Sequence, residues 1–166
     1  MENKIIYEKD YVTRINLKTD TGHREKLIDF CLNGKNKFLA IGWSCVNIES
    51  GQYSDFYNAV KVYLHSQHKR INPALNIFSY AEVNDLFWTR DMNGVYWICR
   101  VIDTAKVYLN KTLDIGAILP VEAYEFGLEV PGQIKASFNR PNGGITEKVK
   151  GINIIEYSKS VFNQLS

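Results

Sequence analysis

Two kinds of residue in this chain could hold a ligand: tryptophans at strand ends and a basic, glycine-rich stretch. Trp43 lies between Gly42 and Ser44 at the end of the apolar run FLAIGWS. Trp88 and Trp97 share the segment NDLFWTRDMNGVYWICRV, where Asp85 and Arg90 flank Trp88. An indole offers a flat face on which a nucleic-acid base can stack, worth about 1–3 kcal/mol. The Ser44 hydroxyl could bond a base edge. Asp85 could accept from an exocyclic amine such as cytosine N4, and Arg90 could meet a phosphate or a base edge. From Gly132 to Lys150, a stretch that takes in most of VPGQIKASFNRPNGGITEKV, Lys135, Arg140, Lys148 and Lys150 outnumber Glu147. Ser137 and Asn139 add neutral donors there, and Gly143-Gly144 lets a backbone come close. That chemistry suits a clamp on sugar-phosphate. The expected base-contacting residues are therefore Trp43, Ser44, Asp85, Trp88 and Arg90. The expected phosphate-contacting residues are Lys135, Ser137, Asn139 and Arg140.

Each of these residues also has a structural explanation. Trp43 could be a core tryptophan whose N–H is tied to a carbonyl, and Trp97 reads as core more readily than Trp88. Arg90 could snorkel to solvent from a barrel mouth. Asp85 could bond its own turn. For Arg90 and Asp85 these structural roles are the preferred ones. The basic stretch could be a solvated surface loop. His65, His68, Lys69 and Arg70 read as a solvated helix end that suits the helix dipole.

A catalytic set is not recognisable. His23 and Cys31 fall about two turns apart on one helix, too far for a hydrogen-bonded pair. Walker, nucleophile-elbow, HExxH and dinucleotide signatures do not occur. Cys31, Cys45 and Cys99 are odd in number and include no CxxC pair, so reduced thiols, mostly buried, in a cytoplasmic protein are expected, with no metal site and no cofactor.

The chain has 166 residues, which implies one domain, with residues 1–10 as a loose lead-in. It carries 20 Lys and Arg against 18 Asp and Glu, so any nucleic-acid site must be a local patch rather than a basic coat. Aromatics make up 13% of the residues, which favours strands and flat-ring contacts. Neither a signal-peptide apolar stretch nor a membrane span is expected.

The elements that must position these residues follow from periodicity. A strand is expected over residues 11–17 and a helix over 23–32, with Leu27, Phe30 and Cys31 on one side. Another strand follows at 38–43. Phe56, Val60, Tyr63 and Leu64 form the buried stripe of a helix over 54–69. Asn72-Pro73 opens a third helix. Residues 84–103 form a hairpin around Asn93-Gly94. A two- or four-residue loop puts Leu86, Trp88, Arg90, Trp97, Cys99 and Val101 on one face; a three-residue loop breaks that arrangement. Extended segments follow at 107–109 and 117–126, and Pro131-Gly132 opens the basic loop. A closing helix over 154–165 turns Ile154, Tyr157 or Ser158, Val161 and Leu165 inward. This is an α+β chain, with a small mixed or antiparallel β-barrel surrounded by short helices.

At VTRINL, FLAIGWS, NDLFWTRD and YWICRV the chain resembles the PUA-like superfamily, in particular its EVE and YTH branches. The resemblance covers roughly residues 11–126. Asn84-Asp85 stands where the EVE branch often has Gly-Asp, and Thr13-Arg14 stands where it commonly has a first-strand tryptophan. The resemblance implies a small β-barrel flanked by helices, and a modified, flipped or unpaired base held in an aromatic pocket. It also implies DNA or RNA as partner and service as the sensor of a restriction or phage-defence system, beside an effector nuclease. Two alternatives stand beside it. One is an ASCH-like ribonuclease recruiting Arg90, Lys135 and Arg140. The other is a protein-interaction module with an exposed aromatic patch.

Overall fold

The computed structural model describes residues 9–19, 21–49, 51–63, 71–141 and 143–166. Along them run β1 (Tyr11–Ile15), α1 (Arg24–Leu32), β2 (Lys37–Ile41), α2 (Tyr53–Tyr63), α3 (Ile71–Tyr80), β3 (Leu86–Arg90), β4 (Tyr96–Val101), β5 (Lys106–Asn110), β6 (Ile115–Gly127), α4 (Gly132–Phe138), β7 (Thr146–Lys150) and α5 (Ile152–Leu165). The strands make one curled sheet in the order β2-β6-β4-β3-β1-β7, with β5 also on β6. β1 and β3 pair in parallel, and the other pairings are antiparallel. The parallel pair requires a crossover, which α1, β2, α2 and α3 supply. The result is a mixed α+β half-barrel.

Helices cover both faces of this sheet. On one face Ile15, Leu39, Phe87, Cys99 and Leu119 pack with Leu27 and Cys31 of α1, Phe56 and Val60 of α2, and Leu75 and Phe78 of α3. On the other, Val12, Leu86, Trp88, Ile98 and Val149 pack with Ile134 and Phe138 of α4 and Ile154, Val161 and Phe162 of α5. Burial on both sides is why LFWTR and YWICRV lack a clean polar alternation. Gly116 lets α2 sit close: a Cβ there would lie 2.3 Å from the Gly42 oxygen and 2.5 Å from the Phe56 ring.

The hairpin has the parity that the one-face expectation did not survive. Arg90 pairs with Tyr96 and Trp88 with Ile98. The Asp91 N–H donates to the Val95 carbonyl at 2.9 Å, leaving Met92-Asn93-Gly94 as a three-residue loop. Gly94 takes the left-handed conformation (φ 78°) that this loop demands. Trp88 therefore shares its face with Leu86, Tyr96 and Ile98. Trp97 lies on the opposite face with Phe87, Cys99 and Val101. The Asp91 carboxylate holds this loop. Its Oδ1 accepts the N–H groups of Asn93 (2.9 Å) and Val95 (3.0 Å), and its Oδ2 accepts the Trp97 indole N–H at 3.1 Å.

Three other expectations change. The basic stretch is not a continuous loop: Ile134 and Phe138, four residues apart, anchor α4 in the core, and Thr146–Lys150 is β7. Tyr63 is exposed rather than part of the α2 stripe, and Leu165 of α5 is exposed too. Phe162 and Ile155 point inward instead. Leu64, the continuation of that helix to residue 69, and the His65, His68, Lys69 and Arg70 cluster lie outside the described residues, as does most of the 1–10 lead-in. No helix among the described residues is long and apolar enough to cross a membrane.

Candidate functional site

Strand alternation sends Val12 and Arg14 of β1 to the face covered by α4 and α5, with Arg14 in register with Trp88 of β3 and Glu147 of β7. Arg14 is only 1% exposed. Its Nη1 donates to the carbonyls of Gly144 (2.6 Å) and Ile145 (3.0 Å). Its Nε and Nη2, both buried, have no hydrogen-bond partner among the described residues. These two nitrogens form one edge of the planar guanidinium, with parallel N–H bonds. That edge grips two oxygens of a carboxylate or phosphate at once. Burial pushes the Arg14 pKa below the usual arginine range; Glu147 raises it and Arg140 lowers it further.

The surroundings are rich in positive charge. The Glu147 Oε1 lies 3.9 Å from Arg14 Nη2, but Arg140 Nε holds that same oxygen at 2.5 Å. Arg90 sits over the Phe138 ring at 5.2 Å and the Tyr96 ring at 5.8 Å, and its Nη1 donates to Asn139 Oδ1 at 3.2 Å. Arg14 sits 6.0 Å from the centre of the same Phe138 ring. Lys18 is close enough that burial, Arg14 and Arg24 together lower its pKa. Arg14 and Arg90 thus share the Phe138 ring, and Arg14 and Arg140 share the Glu147 carboxylate.

The structure brings together part of what the sequence marked. Arg90, Asn139 and Arg140 converge, and exposed Lys135 sits four residues before Asn139, on the same side of α4. Ser137 does not join them. It is buried, and its hydroxyl donates to the Ile134 carbonyl at 2.6 Å, so its phosphate role is withdrawn. A stacking role for Trp88 is likewise overturned. The residue is 1% exposed, its indole N–H donates to Ser158 Oγ at 2.9 Å, and its ring stacks on Tyr157 and meets the edge of Phe126. Asp85 is a turn anchor: it accepts the Glu82 N–H at 2.9 Å and pairs with Lys9.

Trp43 and Ser44 lie elsewhere. Trp43 is half-buried just beyond β2, in a left-handed conformation (φ 68°) that a bulky side chain rarely adopts. The N–H and hydroxyl of Ser44 both donate to Asp114 Oδ1, at 3.1 and 2.9 Å, so its hydroxyl proton is already engaged. Register places Ile41 opposite Ala117, near the start of β6, and Tyr96, the partner of Arg90, opposite Gly127 at its end. Those ten steps of extended chain span roughly 33 Å. The five expected base contacts therefore do not form one pocket.

A groove of about 440 Å³ opens instead along β2 and β6, lined by Lys35, Phe38, Ile102, Glu122 and Tyr124 among others. Arg14 does not border it. Cys31 and Cys99 are buried and Cys45 is exposed. Burial pushes the Cys31 thiol up to about 12 and the Cys99 thiol up as well. Among the described residues no group of three or more His, Cys, Asp or Glu is placed to hold a metal ion.

The residue that sequence reasoning passed over is Arg14. The available signal was an arginine inside an apolar strand two residues from Val12, where a charge must find a partner. What makes it a site, however, is the return of β7 and the Gly143-Gly144 loop from far along the chain.

No known family matches. Neither protein-family models, curated proteins nor solved structures give a match to this chain.

Proposed function

We propose that this chain is a nucleic-acid recognition module that holds its ligand by sugar-phosphate at the Arg14, Arg90 and Arg140 cluster. The supporting observation is that Arg14 links the other two guanidinium groups, sharing the Phe138 ring with Arg90 and the Glu147 carboxylate with Arg140. Arg140 is 55% exposed and can exchange Glu147 for a phosphate. Lys135 extends the positive surface along α4, and the Asn139 amide N–H₂ supplies a neutral donor while its oxygen holds Arg90. With a net charge of only +2, affinity comes from this patch and not from long-range attraction. Selection of a base, modified or not, falls to Trp43, whose backbone conformation is unusual for a tryptophan. It would read a different nucleotide from the one held at the cluster. The half-barrel is a scaffold compatible with the EVE and YTH resemblance, and we keep a sensor role in restriction or phage defence as part of the proposal.

The test is oligonucleotide affinity as a function of salt. Each phosphate contact contributes roughly 0.7–0.9 to the slope of log K against log salt. A Lys135→Ala/Arg140→Ala double variant should bind all sequences more weakly, with a shallower slope. Unchanged slope and affinity would reject the clamp. If the wild type binds no strand, DNA or RNA, the protein-interaction reading takes over, with the β2–β6 groove as its surface. Cleavage of RNA by the wild type would favour the ribonuclease.

A further inference from the structure

We infer that the Nε/Nη2 edge of Arg14 is a fork for one phosphate dianion, carried either on the end of a nucleic-acid strand or as free phosphate. This rests on the reading that the cluster takes phosphate, and it narrows which phosphate. Four observations support it.

First, the two nitrogens without a hydrogen-bond partner are not scattered. They are the paired donors of a single guanidinium edge, while the opposite corner is fixed by two carbonyls. The side chain is therefore held rigidly, with its fork already oriented. Second, Arg14 is 1% exposed. A phosphodiester within a running strand bears chain on both sides and stays at the surface, where Arg140 and Lys135 can meet it. A terminal phosphate has one substituent, and inorganic phosphate none, so either can reach inward. Third, the charge fits. A phosphate monoester carries about −1.5 to −2 at neutral pH, which suits a site where Arg14 and Arg140 share the one carboxylate of Glu147. Glu147 is also the competitor: it lies 3.9 Å from Nη2 and repels an incoming anion. Fourth, the Nη2 side of the fork faces a glycine. A Cβ added to Gly143 would stand 3.4 Å from Arg14 Nη2 and 3.4 Å from the Arg140 Cβ. Any larger residue would cover the Nη2 side of the fork.

The experiment uses the full chain and two probes. The first is inorganic phosphate, followed through the ¹⁵N–¹H resonance of Arg14 Nε. The second is a short single strand compared with and without a terminal phosphate. Phosphate should shift the Arg14 resonance, and the phosphorylated strand should bind about tenfold tighter, the scale of a charge-assisted bidentate pair. Gly143→Ala keeps every charge but sets a Cβ 3.4 Å from Nη2, so it should lose the response to phosphate and the preference for the phosphorylated strand. Arg14→Lys should lose it too. Should that variant not fold, Gly143→Ala still decides. Glu147→Gln removes the competitor and should tighten phosphate binding. A response to inorganic phosphate with no preference for the phosphorylated strand assigns the fork to free phosphate. An Arg14 resonance that phosphate leaves in place, with equal binding of both strands, overturns the inference. The outcomes separate the two proposals. Phosphate binding without strand binding keeps the fork and removes the nucleic-acid reading. Salt-dependent strand binding with an indifferent Arg14 does the reverse.

Discussion

Trp88 is held by a hydrogen bond as well as by packing. Its indole N–H meets Ser158 Oγ, and that hydroxyl in turn donates to the Ile154 carbonyl at 2.7 Å, tying β3 to α5. Trp88→Phe should therefore cost about 1–3 kcal/mol, from the lost hydrogen bond and the unfilled volume. Trp88→Ala should cost about 3–5 kcal/mol. Urea unfolding measures both, and oligonucleotide affinity should be unaltered in either. Weakened binding at unchanged stability would restore Trp88 to a ligand site. Residue chemistry was legible in the sequence where it is local. Asp85 was expected to bond its own turn, and it does so through the Glu82 N–H. Arg90 was expected to need a partner, and it has Asn139 together with two rings. Arg14 was not legible as a site, because its carbonyl partners lie about 130 residues away in the chain.

At the scale of elements, β3, β4 and the loop joining them turn on one carboxylate. Asn93-Gly94 marks a turn, and periodicity marks both strands, but neither fixes whether the loop is odd or even. The Trp88 core favours the odd loop, and Asp91 stabilises it by collecting the backbone N–H groups of Asn93 and Val95 and the Trp97 indole N–H. One residue of loop length then moves Trp97 to the face opposite Trp88. Asp91→Ala should destabilise the protein by about 1.5–3 kcal/mol, the range for hydrogen bonds to a charged group. The register should survive, because a one-residue slip would turn Trp88 out of its core. The measurements are urea unfolding and the proximity of the Trp88 and Tyr157 rings by nuclear Overhauser effect. Loss of that proximity in a folded variant would show that the loop, and not the core, sets the register. α4 escaped the sequence reading for a related reason. Its two core residues, Ile134 and Phe138, are diluted among glycines and polar residues, so the stretch looks like loop although the i, i+4 pair is present.

At the scale of the whole molecule, one sheet serves two cores, and this has consequences for acid stability and for cooperativity. Glu122 on β6 accepts from the Tyr124 hydroxyl and from Arg100 Nη2, and these bonds lower its pKa against the opposing effect of burial. A carboxylate whose folded pKa lies below its unfolded value, about 4.3, stabilises the fold above that value. The contribution fades as pH falls through the folded pKa. Glu122→Gln should thus be less stable than wild type at neutral pH and converge with it in acid, as read from unfolding at pH 7 and pH 3. An equal gap at both pH values would refute the assignment. Cooperativity follows from shared strands. β1, β3 and β4 send alternate residues to the two faces, so Phe87 and Cys99 belong to one core while Trp88 and Ile98 belong to the other. Neither core can open while the other keeps its strands in place. A Trp43→Phe/Trp97→Phe variant leaves Trp88 as the sole indole, reporting from the α5 face. Cys31 and Cys99 report from the α1 face, where burial keeps their thiols protonated and sealed from alkylating reagent, unlike exposed Cys45. Under native conditions Cys45 should react alone. As urea rises, Cys31 and Cys99 should become reactive over the same range in which Trp88 fluorescence changes, giving one midpoint for both faces. Two separated midpoints would mean that the α1–α3 layer unfolds independently of the α4–α5 layer, and that the sheet does not couple them.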